Sequence, residues 1–197
     1  MTGTVIIDSG GANLASLQFA FERLGAEARV SAEAEEVAAA ERIVLPGVGS
    51  ASEAMRRLRA AGLARLLPAL SQPVLGICLG MQLLFEHSAE GETECLGILP
   101  GTVRRLEPSV ARPVPHMGWN RLTTLESDPL LAGLDPQSYF YFVHSYAAPL
   151  GEFTLAPVEY GERLSAVVRR GNFCGVQFHP ERSAAAGARV LANFLSL

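Results

Sequence analysis

Apolar positions in the first half of the chain follow two periods. Short continuous runs, Thr4 to Ile7, Ala28 to Val30, Ile43 to Leu45 and Val74 to Ile77, read as buried strands. Between them Asn13 to Leu24 sets Leu14, Leu17, Phe21 and Leu24 at helical spacing, and Ser52 to Leu70 holds one or two helices broken near Gly62. Met81 to Phe85 reads as a further apolar helix, with His87 near its end. Strand–helix units of this length predict a mostly parallel central sheet flanked by helices, an α/β fold. The second half changes character. Val103 to Arg105, Tyr139 to Val143, Thr154 to Val158, Ala166 to Val168 and Phe173 to Phe178 read as strands with few helices between them. That half should add antiparallel strands to one side of the sheet. Ala184 to Leu195 closes the chain as a helix with Val190, Leu191 and Phe194 facing inward. No linker, repeat or low-complexity tract interrupts this order, so one domain over residues 1–197 is expected.

Composition narrows the partners. Charged residues are 18% of the chain, below the roughly 25% of an average soluble domain, which is consistent with a face covered by another protein. A net charge of −4 without a basic cluster argues against nucleic acid. No run approaches the ~20 apolar residues of a membrane span. The sequence enters its first strand without a basic leader, and its 3 cysteines have no zinc or disulfide spacing. A reducing, cytoplasmic compartment is the expectation.

The chemistry concentrates in two places. Gly76-Ile77-Cys78-Leu79-Gly80 sits where a strand should turn sharply into a helix, with a glycine on each side of a nucleophile. Such a turn lifts the thiol above the sheet edge at a helix N-terminus, where the dipole and backbone N–H groups favour the thiolate. Alone, the pentapeptide also fits a buried cysteine in a glycine-rich turn. Gln177-Phe178-His179-Pro180-Glu181 supplies what the nucleophile lacks: an imidazole to take its proton and a carboxylate to orient that imidazole. Pro180 should keep His179 extended and stop a helix from starting there, which places residues 179 and 181 on one side. Cys95 and Cys174 lack such surroundings and read as structural.

Together, Gly-Ile-Cys-Leu-Gly-Met-Gln and Gln-Phe-His-Pro-Glu resemble the class I (triad) glutamine amidotransferase family, whose fold is flavodoxin-like. Leu45-Pro46-Gly47-Val48-Gly49 looks like that family's oxyanion strand. Asp8 to Leu14, Pro115-His116-Met117-Gly118-Trp119-Asn120 and His144-Ser145-Tyr146 look like the glutaminase subunits of imidazole glycerol phosphate synthases in particular. The resemblance covers essentially the whole chain. It implies a Cys78–His179–Glu181 triad that hydrolyses glutamine, with oxyanion donors at Leu79, Val48 and Gly49. Substrate contacts fall to Gln82, Glu90, Ser145 and Tyr146. No cofactor and no metal are expected. Ammonia would pass to a separate (β/α)8-barrel cyclase in a heterodimer, contacted through Trp119, Asn120, Tyr141, Arg182 and Asn13. The Gly10-Gly11 loop departs from the family's pattern, with Ser9 where an aromatic is common and Ala12 where glycine is common. A glutaminase serving another synthase, a silent module on the same fold and a stand-alone γ-glutamyl hydrolase are the alternatives. The intact triad and the Pro-His-Met-Gly-Trp-Asn block count against them.

Overall fold

The computed structural model describes residues 3–9, 14–110 and 112–197. The first half runs β1 (Thr4–Ile7), α1 (Leu14–Glu22), β2 (Ala28–Ser31), α2 (Ala34–Ala39), β3 (Arg42–Gly47), α3 (Ala51–Ala60), α4 (Leu63–Leu66), β4 (Val74–Cys78) and α5 (Leu79–Gln82). There follow β5 (Phe85–Ser88), β6 (Thr93–Glu94), β7 (Leu99–Arg105), β8 (His116–Arg121), β9 (Tyr139–His144) and β10 (Tyr146–Ala147). Then come β11 (Thr154–Glu159), β12 (Arg163–Arg170), β13 (Phe173–Val176) and α6 (Ala184–Leu195).

Seven strands form the main sheet in the order β11-β12-β13-β4-β3-β1-β2. The five from β13 to β2 run parallel, and β11 and β12 are antiparallel additions at one edge. Neighbouring strand positions feed opposite cores. Val5 and Ile7 pack with Met55 and Leu58, whereas Ile6 packs with Phe21 and Phe194. Both faces are therefore covered, and the strands are apolar throughout rather than alternating. A second sheet, β10-β7-β5-β6, and a separate β8–β9 hairpin complete the strands among the described residues.

Several expectations need correction. The strands at Val103 and Tyr139 lie outside the main sheet, and Phe173 onward pairs antiparallel with β12 but parallel with β4. Asn172 fixes that register, because its side-chain amide donates to the Leu70 and Gln72 carbonyls just before β4. The helix expected over Met81 to Phe85 ends at Gln82, and Phe85 and His87 lie in a strand. The carbonyls of Leu83, Leu84 and Phe85 accept instead from the N–H groups of residues 96–99, so they cannot close helical turns. A buried apolar run looks the same in either state. Helix α2 has no counterpart among the expected elements; only Val37 of its six residues is buried, which leaves no periodic signal.

The parallel arrangement has one functional consequence. β4 ends at Cys78 directly beside Gly47 at the end of β3. On the other side Val176 of β13 is paired with Ile77, so residues 177–179 leave the sheet beside Cys78. Open α/β sheets bind ligands outside the carboxyl ends of their strands, and both motifs reach that edge together.

Candidate active site

Cys78 has φ 54° and ψ −110°, a conformation that costs a non-glycine residue energy and persists only where the surroundings impose it. Those surroundings are close. A Cβ on Gly80 would collide with the Leu45 carbonyl oxygen, and one on Gly76 would lie 2.7 Å from the Gly80 carbonyl oxygen. The strand-to-helix elbow read from the two glycines is what the backbone forms. The helix behind it has only four residues, too short for the dipole expected of a full helix, so side chains must supply most of the activation.

Cys78 is 7% exposed, and besides His179 its sulfur has two polar neighbours. It lies 3.7 Å from the Val143 carbonyl, to which the thiol donates, and 3.7 Å from Gln177 Nε2, which donates to it. His179 stands across from it. The His179 backbone N–H donates to the Tyr141 carbonyl at 2.9 Å, and its carbonyl accepts from Ser183 Oγ at 2.7 Å, so the residue is held from both sides. Nδ1 faces Glu181 Oε1 at 2.9 Å. Nε2 is buried without a full hydrogen bond. Burial lowers the proton affinity of this imidazole, but the Cys78 and Glu181 side chains, through hydrogen bonding and charge, outweigh it and push the ring up to about 10. The site thus favours an imidazolium next to sulfur. Cys95 and Cys174 contrast with it, since burial pushes their thiols up to about 11 and about 12.

The backbone at this motif differs from expectation. Pro180 begins a 3-10 turn, Pro180–Arg182, rather than preventing one. Proline suits a first helical position, where its missing N–H costs nothing. The turn carries Glu181 back toward the ring, so the pairing survives by a different backbone route.

A cavity of about 470 Å³ opens over these residues and is also lined by Val48, Gly49, Gln82, Glu90, Ser145 and Tyr146. Every residue expected to touch substrate is therefore on its wall. Glu90 Oε2 accepts from the Ala51 N–H at 2.8 Å, which aims the carboxylate from the start of α3. Gln82 is more constrained than one helical turn of spacing implied. It is 4% exposed, and its amide nitrogen already donates to the Tyr146 carbonyl at 2.8 Å and to Gln177 Oε1 at 3.0 Å. Only the Gln82 oxygen side remains for another donor. Where the Leu45–Gly49 segment passes the cavity, Ser9 Oγ donates to the Pro46 carbonyl at 2.8 Å. Gly47 lies under Leu79, whereas Gly49 has φ +90° and open space around it.

Sequence reasoning missed two features. Gln177 enters it only as part of the His-Pro-Glu motif, although two residues before His179 on an extended segment is a position on the same side. His116 and His144 fall inside resemblance motifs without a role of their own, and they form a buried pair with Nδ1 and Nε2 3.0 Å apart. Burial pushes His116 down to about 4; burial first, then His116, pushes His144 down to about 3. Both stay neutral when folded and titrate near 6.5 when unfolded. The unfolded chain therefore gains protons first as pH falls, and stability should drop below about 6.5. By pH 5 the cost is about 2 kcal/mol for each ring. The raised His179 acts at the other end: its contribution is complete below 6.5 and is lost as pH rises through about 10. Urea midpoints should rise modestly from pH 8 to 7, as His179 contributes more, and then fall from 7 to 5 as the two neutral rings outweigh it. A flat profile down to pH 5 would contradict the neutral pair.

The residues expected to meet a partner divide. Trp119 is 54% exposed, so it is no core tryptophan. Its ring lies 5.8 Å edge-on from Tyr141, over which Arg182 sits at 5.8 Å, and the three make one surface beside the cavity mouth. Asn120 is turned elsewhere, donating to the Glu159 carbonyl at 3.0 Å and accepting from the Arg121 N–H at 2.8 Å. Asn13 and the Gly10-Gly11-Ala12 loop lie outside the described residues. Among the described residues no group of three metal-ligating side chains is gathered, and no helix is long and apolar enough to cross a membrane.

A family model described as glutamine amidotransferase class-I matches residues 5–197. The chain is 56% identical over 197 residues to "Imidazole glycerol phosphate synthase subunit HisH" of Xanthomonas campestris pv. campestris (strain 8004), covering 100% of this chain and 98% of that one. The protein of the same name from Xylella fastidiosa (strain Temecula1 / ATCC 700964) is 54% identical over the same shares. Among solved structures, a glutamine amidotransferase crystal structure superposes with TM-score 0.74 at 23% identity, covering 98% of this chain and 97% of that one. The structure of PurLQS from Thermotoga maritima superposes with TM-score 0.68 at 18% identity, covering 99% and 98%. At such identities these two establish the fold alone.

Proposed function

The chain belongs to the class-I glutamine amidotransferase family, and from that premise we propose that it makes ammonia from glutamine as the glutaminase subunit of imidazole glycerol phosphate synthase. The observation that carries the mechanism is the strained Cys78 beside His179, whose other nitrogen is fixed on Glu181. The Cys78 sulfur attacks the side-chain amide carbon of glutamine, its proton passing to His179 Nε2. His179 returns that proton to the amide nitrogen, the C–N bond breaks, and ammonia leaves a γ-glutamyl thioester. Water, deprotonated by His179, then attacks the thioester carbon, the C–S bond breaks, and glutamate departs. Glu181 orients the ring and stabilises its charged form. The negative oxygen of each tetrahedral intermediate takes donors from the Leu79 N–H and from the Val48–Gly49 segment. Glu90 suits the substrate's ammonium group, with Ser145 and Tyr146 contributing backbone groups and Gln82 its oxygen.

Ammonia is protonated and lost in water, so its consumer must be adjacent. A (β/α)8-barrel cyclase of histidine biosynthesis is the proposed partner, in a heterodimer, docked on the Trp119–Tyr141–Arg182 surface. Buried aromatic and arginine side chains commonly anchor interfaces. One domain over residues 1–197 and a cytoplasmic location complete the reading.

The oxyanion segment also supplies a reason for control. Gly47 is pinned, but a Cβ at Gly49 would meet open space, so the peptide before it has room to turn its N–H toward or away from the cavity. One oxyanion donor accounts for roughly 10²–10³ in rate. The isolated chain should therefore be slower than the cyclase complex saturated with its nucleotide ligand by about that factor. Steady-state glutamate release from the two preparations checks this; equal rates would reject control at Val48–Gly49.

A further inference from the structure

We propose that Gln177 is a further catalytic residue, whose side-chain N–H donates to the Cys78 sulfur and holds it, as thiol and as thiolate, at the position of attack. The proposal rests on the reading of Cys78 as nucleophile. Gln177 is fully buried on the segment between β13 and His179, and its Nε2 is 3.7 Å from Cys78 Sγ, hydrogen-bond length for a sulfur acceptor. An amide can be turned end for end, so the assignment of nitrogen to the sulfur side needs an independent argument.

The surrounding donors and acceptors provide it. The Tyr146 carbonyl can only accept, and two groups lie on it at 2.8 Å: Gln82 Nε2 and His144 Nδ1. Gln82 must therefore present its NH2 group there, and the second hydrogen of that NH2 points to Gln177 at 3.0 Å. A donor from Gln82 requires the Gln177 oxygen, which leaves the Gln177 NH2 facing sulfur. Reversing Gln177 would set NH2 against NH2; reversing Gln82 would set oxygen against the Tyr146 carbonyl. The same accounting extends outward. His144 gives its proton at Nδ1 to Tyr146, so its Nε2 accepts from His116 Nδ1 at 3.0 Å, and His116 Nε2 is left to accept from Asn120 Nδ2 at 3.4 Å. Every link has one allowed direction, and the chain that starts on β8 ends at the nucleophile.

The chemical use follows from the two neighbours that the sulfur has besides His179. The Val143 carbonyl accepts from the thiol but repels the thiolate, whereas the Gln177 N–H favours the thiolate. As the proton moves to His179, Gln177 becomes the stronger of the two contacts and keeps the anion in place. The other charged or titratable groups facing the same cavity are His179, Glu181, Arg182, Glu90, Tyr146 and His144, the last held by the Tyr146 carbonyl and His116. His179 and Glu181 are engaged with each other and Glu90 with the Ala51 N–H, so the amide is the neutral donor at the sulfur.

The test uses the full chain with Gln177→Met, which keeps length and removes the donor. Alkylation of Cys78 by iodoacetamide, followed on the Cys78 peptide by mass spectrometry, should slow about tenfold. In the complex with its synthase partner, kcat with glutamine should fall by a similar factor while KM stays within about twofold, since no substrate contact is lost. Rates within twofold of the unaltered protein in both measurements would overturn the proposal, as would a change confined to KM. If Gln177→Met does not fold, Gln177→Glu decides by the same thresholds: it preserves shape and the acceptor for Gln82 but turns an oxygen toward sulfur, so it should be at least as slow. Failure of the underlying reading would show separately, as undiminished glutamine hydrolysis by the unaltered protein after complete Cys78 alkylation.

Discussion

Cys78→Ala should remove glutamine hydrolysis by roughly 10⁴-fold or more, because without sulfur no thioester forms and the histidine has nothing to activate in the first step. The fold should survive. The alanine Cβ occupies the position the cysteine Cβ already has, so the positive φ of residue 78 costs no more than before. The lost sulfur contacts to Val143 and Gln177, each 3.7 Å long, are weak ones. Binding to the synthase partner should be unchanged, as Trp119, Tyr141 and Arg182 hold their surface through contacts with one another. Cys95→Ala and Cys174→Ala are the controls, and they should retain turnover, since burial holds both thiols far from ionisation at neutral pH. Turnover retained by Cys78→Ala, or lost in either control instead, would move the nucleophile elsewhere.

Much of this site was legible because its chemistry depends on local sequence. The elbow demands glycine on both sides of residue 78, and the collisions a Cβ would cause at Gly76 and Gly80 are the physical form of that demand. The alternation of short apolar runs with helical spacing in the first half gave the parallel sheet for a similar reason. What the chain did not reveal depends on long-range pairing. Leu83 to Phe85 look helical until residues 96–99 take their carbonyls. The parallel placement of β13 depends on Asn172 reaching back about a hundred residues to Leu70 and Gln72. The Gln82–Gln177 contact joins residues 95 apart and the His116–His144 contact residues 28 apart, and neither pair carries a spacing signature.

Asn120 illustrates the limit from another side. As the last residue of the Pro-His-Met-Gly-Trp-Asn block it read as a neighbour of Trp119 on a docking face. Successive residues of a strand point to opposite faces, and in β8 Trp119 projects outward while Asn120 turns inward to Glu159 and His116. Strand periodicity would have separated them had the block been read as a strand.

The central claim is that this chain produces ammonia at Cys78–His179–Glu181 for use in a second active site. The cyclase complex carrying His179→Asn tests it most directly. Asparagine cannot shuttle the proton, so glutamine-dependent formation of imidazole glycerol phosphate should fall by about 10²–10⁴-fold, the usual size of general acid–base catalysis. Supplied ammonium salt bypasses the triad and should support product formation at the rate of the unaltered complex. Both activities are read from the same preparation, as product formed with glutamine and with ammonium at matched pH. Glutamine-dependent synthesis lost with ammonia-dependent synthesis intact is the predicted result; equal loss of both would contradict the division of labour between the two sites.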